Sequence, residues 1–166
     1  MVRNLIVFAL LISFSGLSAA SALDRLNTGP SALDGFTGSG KWLVVMLWAS
    51  DCIACNREAR QYVDFHEFHQ DSDATILGIS LDGSDQAAAQ GFIDKHDVSF
   101  PNLIIDFEGG ARWFESLTGQ RFLGTPGFLI IDPQGNLRAQ QIGAVPVNLI
   151  EQFIEANSVI EQSAVN

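Results

Sequence analysis

Cys52 and Cys55 are the only two cysteines in the chain, and they close the run Trp48-Ala49-Ser50-Asp51-Cys52-Ile53-Ala54-Cys55. The apolar stretch Leu43-Val44-Val45-Met46-Leu47 before them reads as a buried strand, and a helical pattern begins near Ile53. A dithiol at a strand-to-helix boundary sets its first sulfur beside unpaired backbone N–H groups and the positive end of the helix dipole, which favour a thiolate. Thiol–disulfide exchange needs that arrangement: one accessible attacking sulfur, and a second within a turn to resolve the mixed disulfide. On this reading Cys52 attacks and Cys55 resolves.

A Cys-x-x-Cys pair is also half of a zinc site, but zinc takes four ligands. The chain has no second pair, and its three histidines, His66, His69 and His96, form no His-x-His cluster. His66 and His69 stand at i and i+3, a spacing able to share a metal, yet no third ligand accompanies them, so a surface or core-edge role is expected. Copper held by both thiolates is a further alternative. No metal and no cofactor are expected.

The elements that must position the dithiol alternate along the chain. Strands are expected over 41–48, 75–81, 128–131 and 137–142, with a short extended piece over 98–105 interrupted by Pro101. Helices are expected over 53–69, with Ala59, Tyr62, Val63 and His66 inward, and over 84–96, with Ser84 as N-cap and Ala89, Phe92, Ile93 and His96 on one face. A short helix over 109–117 carries Trp113, Phe114 and Leu117. The last, over 146–157, starts on Pro146 and turns Val147, Ile150 and Ile154 inward. Asp132-Pro133-Gln134-Gly135 has the residues of a turn. The pattern predicts an α/β domain, a central mixed sheet with helices on both faces.

Residues 1–22 read as a signal peptide: Arg3, an apolar stretch from Leu5 to Leu17, and Ala20-Ser21-Ala22 as the cleavage site. The apolar stretch is short of the ~20 residues that span a bilayer, although anchoring by an uncleaved segment remains the alternative. Residues 23–40 read as a leading arm and 41–166 as the domain. Losing Arg3 takes the net charge from −10 to −11, which argues against nucleic-acid binding. Export to the periplasm or its equivalent places the dithiol where disulfides persist.

Three matches make the chain resemble the thioredoxin-like fold, and within it the exported TlpA/ResA-type disulfide reductases. Trp48 to Glu58 is similar to the family's W-A-x-x-C-x-x-C-x-x-E. Gly124-Thr125-Pro126, with the strand and turn from Phe128 to Gly135, is similar to its cis-proline segment, and Gly143 follows the returning strand. The resemblance implies that Pro126 is cis and close to the dithiol, and that the backbone of Thr125 receives an extended substrate segment. It implies that Glu58 exchanges a proton with Cys55. Trp48 is expected to floor the dithiol and to join Thr125 in substrate binding. The implied partners are disulfide-containing proteins, among them cytochrome c or copper-centre maturation factors, with a membrane electron-donor protein to re-reduce the pair. A monomer is expected.

The departures concern tuning. Met46 stands where thioredoxin buries an acid, Ile53-Ala54 lacks the family's common proline, Asp51 replaces a tryptophan, and Arg60 stands where a proline is frequent. Asp51 and Glu58 disfavour a thiolate, and only the helix terminus and Arg57 oppose them. Cys52 is therefore expected to titrate near a free thiol's ~8.5 rather than the ~3.5 of the strongest oxidant, which favours a reductant. A disulfide oxidase or isomerase is the alternative. Peroxidase chemistry is disfavoured, since the Pro-x-x-x-Thr/Ser-x-x-Cys pattern of peroxiredoxins is absent around Cys52.

Overall fold

The computed structural model describes residues 23–26, 28–29 and 32–164. The signal peptide expected over 1–22 lies outside the described residues. The elements run β1 (Asp24–Arg25), β2 (Trp42–Trp48), α1 (Ile53–His69), β3 (Ala74–Ser80), α2 (Gln86–His96), β4 (Asn102–Ile104), α3 (Phe107–Thr118), β5 (Gly127–Ile131), β6 (Leu137–Ile142) and α4 (Val147–Ala164). One six-stranded sheet takes the order β1-β4-β3-β2-β5-β6. The first four strands in that order pair in parallel, and β5 and β6 complete the sheet antiparallel.

Strand β2 is buried along its whole length because both faces of the sheet are covered. Its side chains alternate between two cores, as the two-residue repeat of a strand requires. Trp42, Val44, Met46 and Trp48 face α1, α2 and α4, meeting Ala59, Tyr62 and Val63, then Phe92, then Ile150 and Ile154. Leu43, Val45 and Leu47 face α3, meeting Trp113 and Phe114. Helices therefore cover both faces of a mixed sheet, as the sequence pattern predicts.

Several boundaries differ from the sequence reading. Described residues of the arm join the fold: Asp24–Arg25 is an edge strand on β4, and Ala32, Leu33 and Phe36 pack against the α3-side core. The N-cap of α2 is Asp85, which accepts from the Ala88 N–H at 3.0 Å, and not Ser84. Helix α3 starts earlier, capped by Asp106 on the Gly109 N–H, and its Leu117 is exposed. Helix α4 runs on to Ala164. The turn after β5 is anchored by Asp132, a buried carboxylate that accepts from the N–H groups of Gln134 and Asn136 and from Arg138. Burial pushes its pKa up, but these donors outweigh it and hold the carboxyl below the ordinary range.

Candidate active site

Residues 49–52 lead from the end of β2 into α1, and Cys52 is the N-cap of that helix. Its backbone is extended, and its Sγ accepts from the Cys55 N–H at 3.1 Å. An N-cap side chain normally offers an oxygen to this orphan donor; here sulfur does. Cys52 and Cys55 are joined by a disulfide, with Cα atoms 5.2 Å apart. The two sulfurs are not equivalent. Cys55 is 0% exposed, whereas Cys52 is half-buried at the start of the helix.

Two side chains clamp the peptide of Ser50. The Asp82 carboxylate, just beyond β3, accepts from the Ser50 N–H at 3.1 and 3.2 Å and from its hydroxyl at 2.7 Å. The buried Ser80 hydroxyl donates to the same carboxylate at 2.6 Å. From the other side, Asn56 Nδ2 donates to the carbonyls of Ser50 and Cys52 at 2.8 and 3.0 Å. Its Oδ1 accepts from Lys95 Nζ at 2.8 Å and His96 Nε2 at 2.9 Å. None of Ser50, Asn56, Ser80, Asp82 and Lys95 emerged from the sequence reading as a site residue. One cue was present: polar residues directly after a buried strand lie at the carboxyl end of an α/β sheet, where such sites form.

Trp48 is 1% exposed. Its indole stacks on Phe92 with ring centroids 4.3 Å apart, and its Nε1–H donates to Asn102 Oδ1 at 3.0 Å. At that burial Trp48 offers a docked chain almost no surface, which weighs against the substrate contact the resemblance implies. The Thr125–Pro126 bond is cis. Because Gly127 pairs with Leu47 in antiparallel register, this bond lies at the sheet end where β2 gives way to the dithiol loop. The Pro126 carbonyl accepts from the Gly143 N–H at 2.8 Å, while Thr125 is half-buried.

Glu58 lies one turn beyond Cys55 on α1. Its described partners are Arg57 at 2.9 Å, Gln61 at 3.2 Å and the Tyr62 hydroxyl at 3.4 Å. The Tyr62 hydroxyl donates at shorter range, 2.9 Å, to the Val145 carbonyl, and burial pushes its pKa well up, so it stays protonated. Arg57 forms an ion pair with Glu58. Neither α1 histidine joins the dithiol. His66 is buried and accepts from the Ile76 N–H, and His69 pairs with Asp73 at 2.7 Å.

The strand order, the cis bond and the dithiol at the junction of β2 and α1 define a thioredoxin fold. A thioredoxin-family thiol:disulfide interchange protein from Chlorobium tepidum TLS shares it, with a TM-score of 0.63 at 18% identity, over 72% of this chain and 81% of that one. The chain belongs to the AhpC/TSA family, which it matches over residues 19–140. It is 32% identical over 115 residues to the thiol-disulfide oxidoreductase ResA of Oceanobacillus iheyensis, across 69% of this chain and 56% of that protein. It is 29% identical over 105 residues to the peroxiredoxin Bcp of Bacillus subtilis, across 59% of this chain and 66% of that protein. The chain thus spans between half and two thirds of the length of these relatives.

Proposed function

We propose that the protein is an exported thiol–disulfide oxidoreductase that acts mainly as a reductant of disulfides in partner proteins. The observation that carries this is the asymmetry of the pair: a buried Cys55 beneath a surface-reaching Cys52 whose sulfur accepts the Cys55 N–H. In the reduced protein that N–H and the helix terminus favour a thiolate on Cys52. The thiolate attacks one sulfur of a target disulfide; a mixed disulfide forms and the other target sulfur leaves as a thiolate, which takes a proton from water. Cys55 then gives its proton to Glu58 and attacks Cys52 Sγ; the second target sulfur leaves as a thiolate and takes that proton from Glu58. Two electrons have moved to the target, and the protein is left with the Cys52–Cys55 disulfide. A membrane electron-donor protein returns the electrons.

The target docks as an extended segment against Thr125 and Pro126. Apolar surface at Ile53, next to Cys52, and at Leu123, three residues before Pro126, supports this; they are 82% and 73% exposed. Residues 1–22 direct export, 23–40 form the arm and 41–166 the catalytic domain, working as a monomer. Among the described residues no helix is long and apolar enough to cross a membrane. Proteins of cytochrome c or copper-centre maturation are the expected class of target.

Trapping tests the assignment. Cys55→Ser should accumulate mixed disulfides with target proteins and Cys52→Ser should not; equal trapping by both overturns it. The potential of the pair, measured against glutathione, tests the direction. A value above about −150 mV belongs with oxidases and isomerases and would replace the reductant reading.

A further inference from the structure

Asn56 follows Cys55 in the first turn of α1, and its side chain reaches back over the dithiol loop. The orientation of its amide is fixed by its partners. The Ser50 and Cys52 carbonyls only accept, so they face Nδ2; the Lys95 ammonium only donates, so it faces Oδ1. His96 shares Oδ1, and its proton is therefore on Nε2. That nitrogen donates whether the ring is neutral or charged. Burial first, and Lys95 second, hold the His96 pKa below its usual value, so at neutral pH Lys95 is the full positive charge on the amide. The ammonium thus stands two hydrogen bonds, through one amide, from the carbonyl of Cys52.

The carboxylates near the loop oppose a thiolate. Asp82 holds Ser50, Asp51 adjoins Cys52, and Glu58 holds Arg57. Lys95 is a cation that the fold, rather than the local sequence, brings to the amide bridging the dithiol loop. We propose that Lys95, anchored on Asn56, is a positioning residue of the exchange reaction that stabilises the Cys52 thiolate and so raises the potential of the pair. The proposal rests on Cys52 being the attacking sulfur. It assigns α2 a part in the chemistry and makes the side chain of Asn56 the link between that helix and the dithiol loop.

The test titrates the Cys52 thiolate by its ultraviolet absorbance in a Cys55→Ser background, where Cys52 is the only thiol. Lys95→Gln should raise the Cys52 pKa by about half a unit, the scale of one exposed charge near a partly exposed group. Lys95→Arg should restore the original curve. In the intact dithiol Lys95→Gln should make the potential more negative, with the thermal midpoint unmoved because Lys95 is exposed. With Asn56→Ala added, the effect of Lys95→Gln should fall below half. A curve unmoved or lowered by Lys95→Gln overturns the proposal, as does a Lys95→Arg protein that behaves like Lys95→Gln, or a full shift that persists without Asn56. These outcomes are separate from the trapping experiment, which alone decides which cysteine attacks.

Discussion

Replacing Asp82 separates what its carboxylate does as a clamp from what it does as a charge. In Asp82→Ala the fully buried Ser80 hydroxyl and the Ser50 N–H both lose their acceptor. The Ser50 hydroxyl is half-buried and can turn to water. A stranded polar group costs about 1–3 kcal/mol, and the lower half applies where water can reach in. Two such groups give about 3 kcal/mol, a fall of about 10 °C in the thermal midpoint for a domain of this size. Asp82→Asn keeps the shape and one acceptor oxygen, and should cost only about 1 kcal/mol. Both variants remove a negative charge held on Ser50, which lies two residues before Cys52, so both should lower the Cys52 pKa by a few tenths of a unit. Thermal denaturation and a thiolate titration in the Cys55→Ser background measure the two effects. An alanine variant that costs less than about 1 kcal/mol would refute the clamp. Thiolate curves unmoved in both variants would refute the electrostatic part.

Gly78→Ala should be among the most destabilising single changes, because a Cβ there overlaps the Asn102 amide and comes within 2.9 Å of Trp48 Nε1. Displacing Asn102 strands the buried indole N–H, so we expect a loss of about 2–4 kcal/mol. Asn102→Ala should add little on top of it, and additive losses would count against a shared cause. Asp51→Asn should lower the Cys52 pKa by a few tenths to about one unit, and Glu58→Gln should slow exchange by removing the acceptor for the Cys55 proton. An unmoved thiolate curve in the first and an unchanged insulin-disulfide reduction rate in the second would contradict these roles. Burial lowers the pKa of His66, so the folded protein keeps it neutral while the unfolded chain protonates. Its contribution is complete above about pH 6.5 and is lost as pH falls through the folded value. Thermal melts of His66→Gln should show a shallower acid loss than the parent protein, and parallel pH profiles would disprove this.

The parts of the site legible in the sequence were those fixed by local rules. The dithiol was placed by the change from an all-apolar strand to a helical repeat, and the bounds of α1 followed from that repeat. Parity along β2 also sets Trp48 on the face of Met46 and Val44, inside the core that α1, α2 and α4 cover. What stayed hidden depends on distant pairing. Two residues make β1 a strand only because β4, formed much later in the chain, lies beside it. Ser84 and Asp85 are both good caps, and which one leaves the helix is settled by the backbone around Asp82.

The direction of electron flow shows why the same limit matters for chemistry. Read locally, the dithiol has two carboxylates, Asp51 and Glu58, against Arg57 and a helix terminus. Folding changes the sum at both ends. Arg57 pairs with Glu58, which leaves their joint field near the sulfurs smaller than either alone. Asp82 arrives on Ser50 and Lys95 on Asn56, from segments about 30 and 40 residues further along the chain. These two act on opposite ends of the same loop and with opposite sign, so neither can be judged without the other. The local argument for a reductant therefore holds only if the two distant charges nearly cancel. Titrating Asp82→Asn, Lys95→Gln and the double variant tests that balance: cancellation requires opposite shifts of similar size and a double variant close to the parent. A double variant displaced far in either direction would show that the fold, and not the residues beside the cysteines, sets the potential.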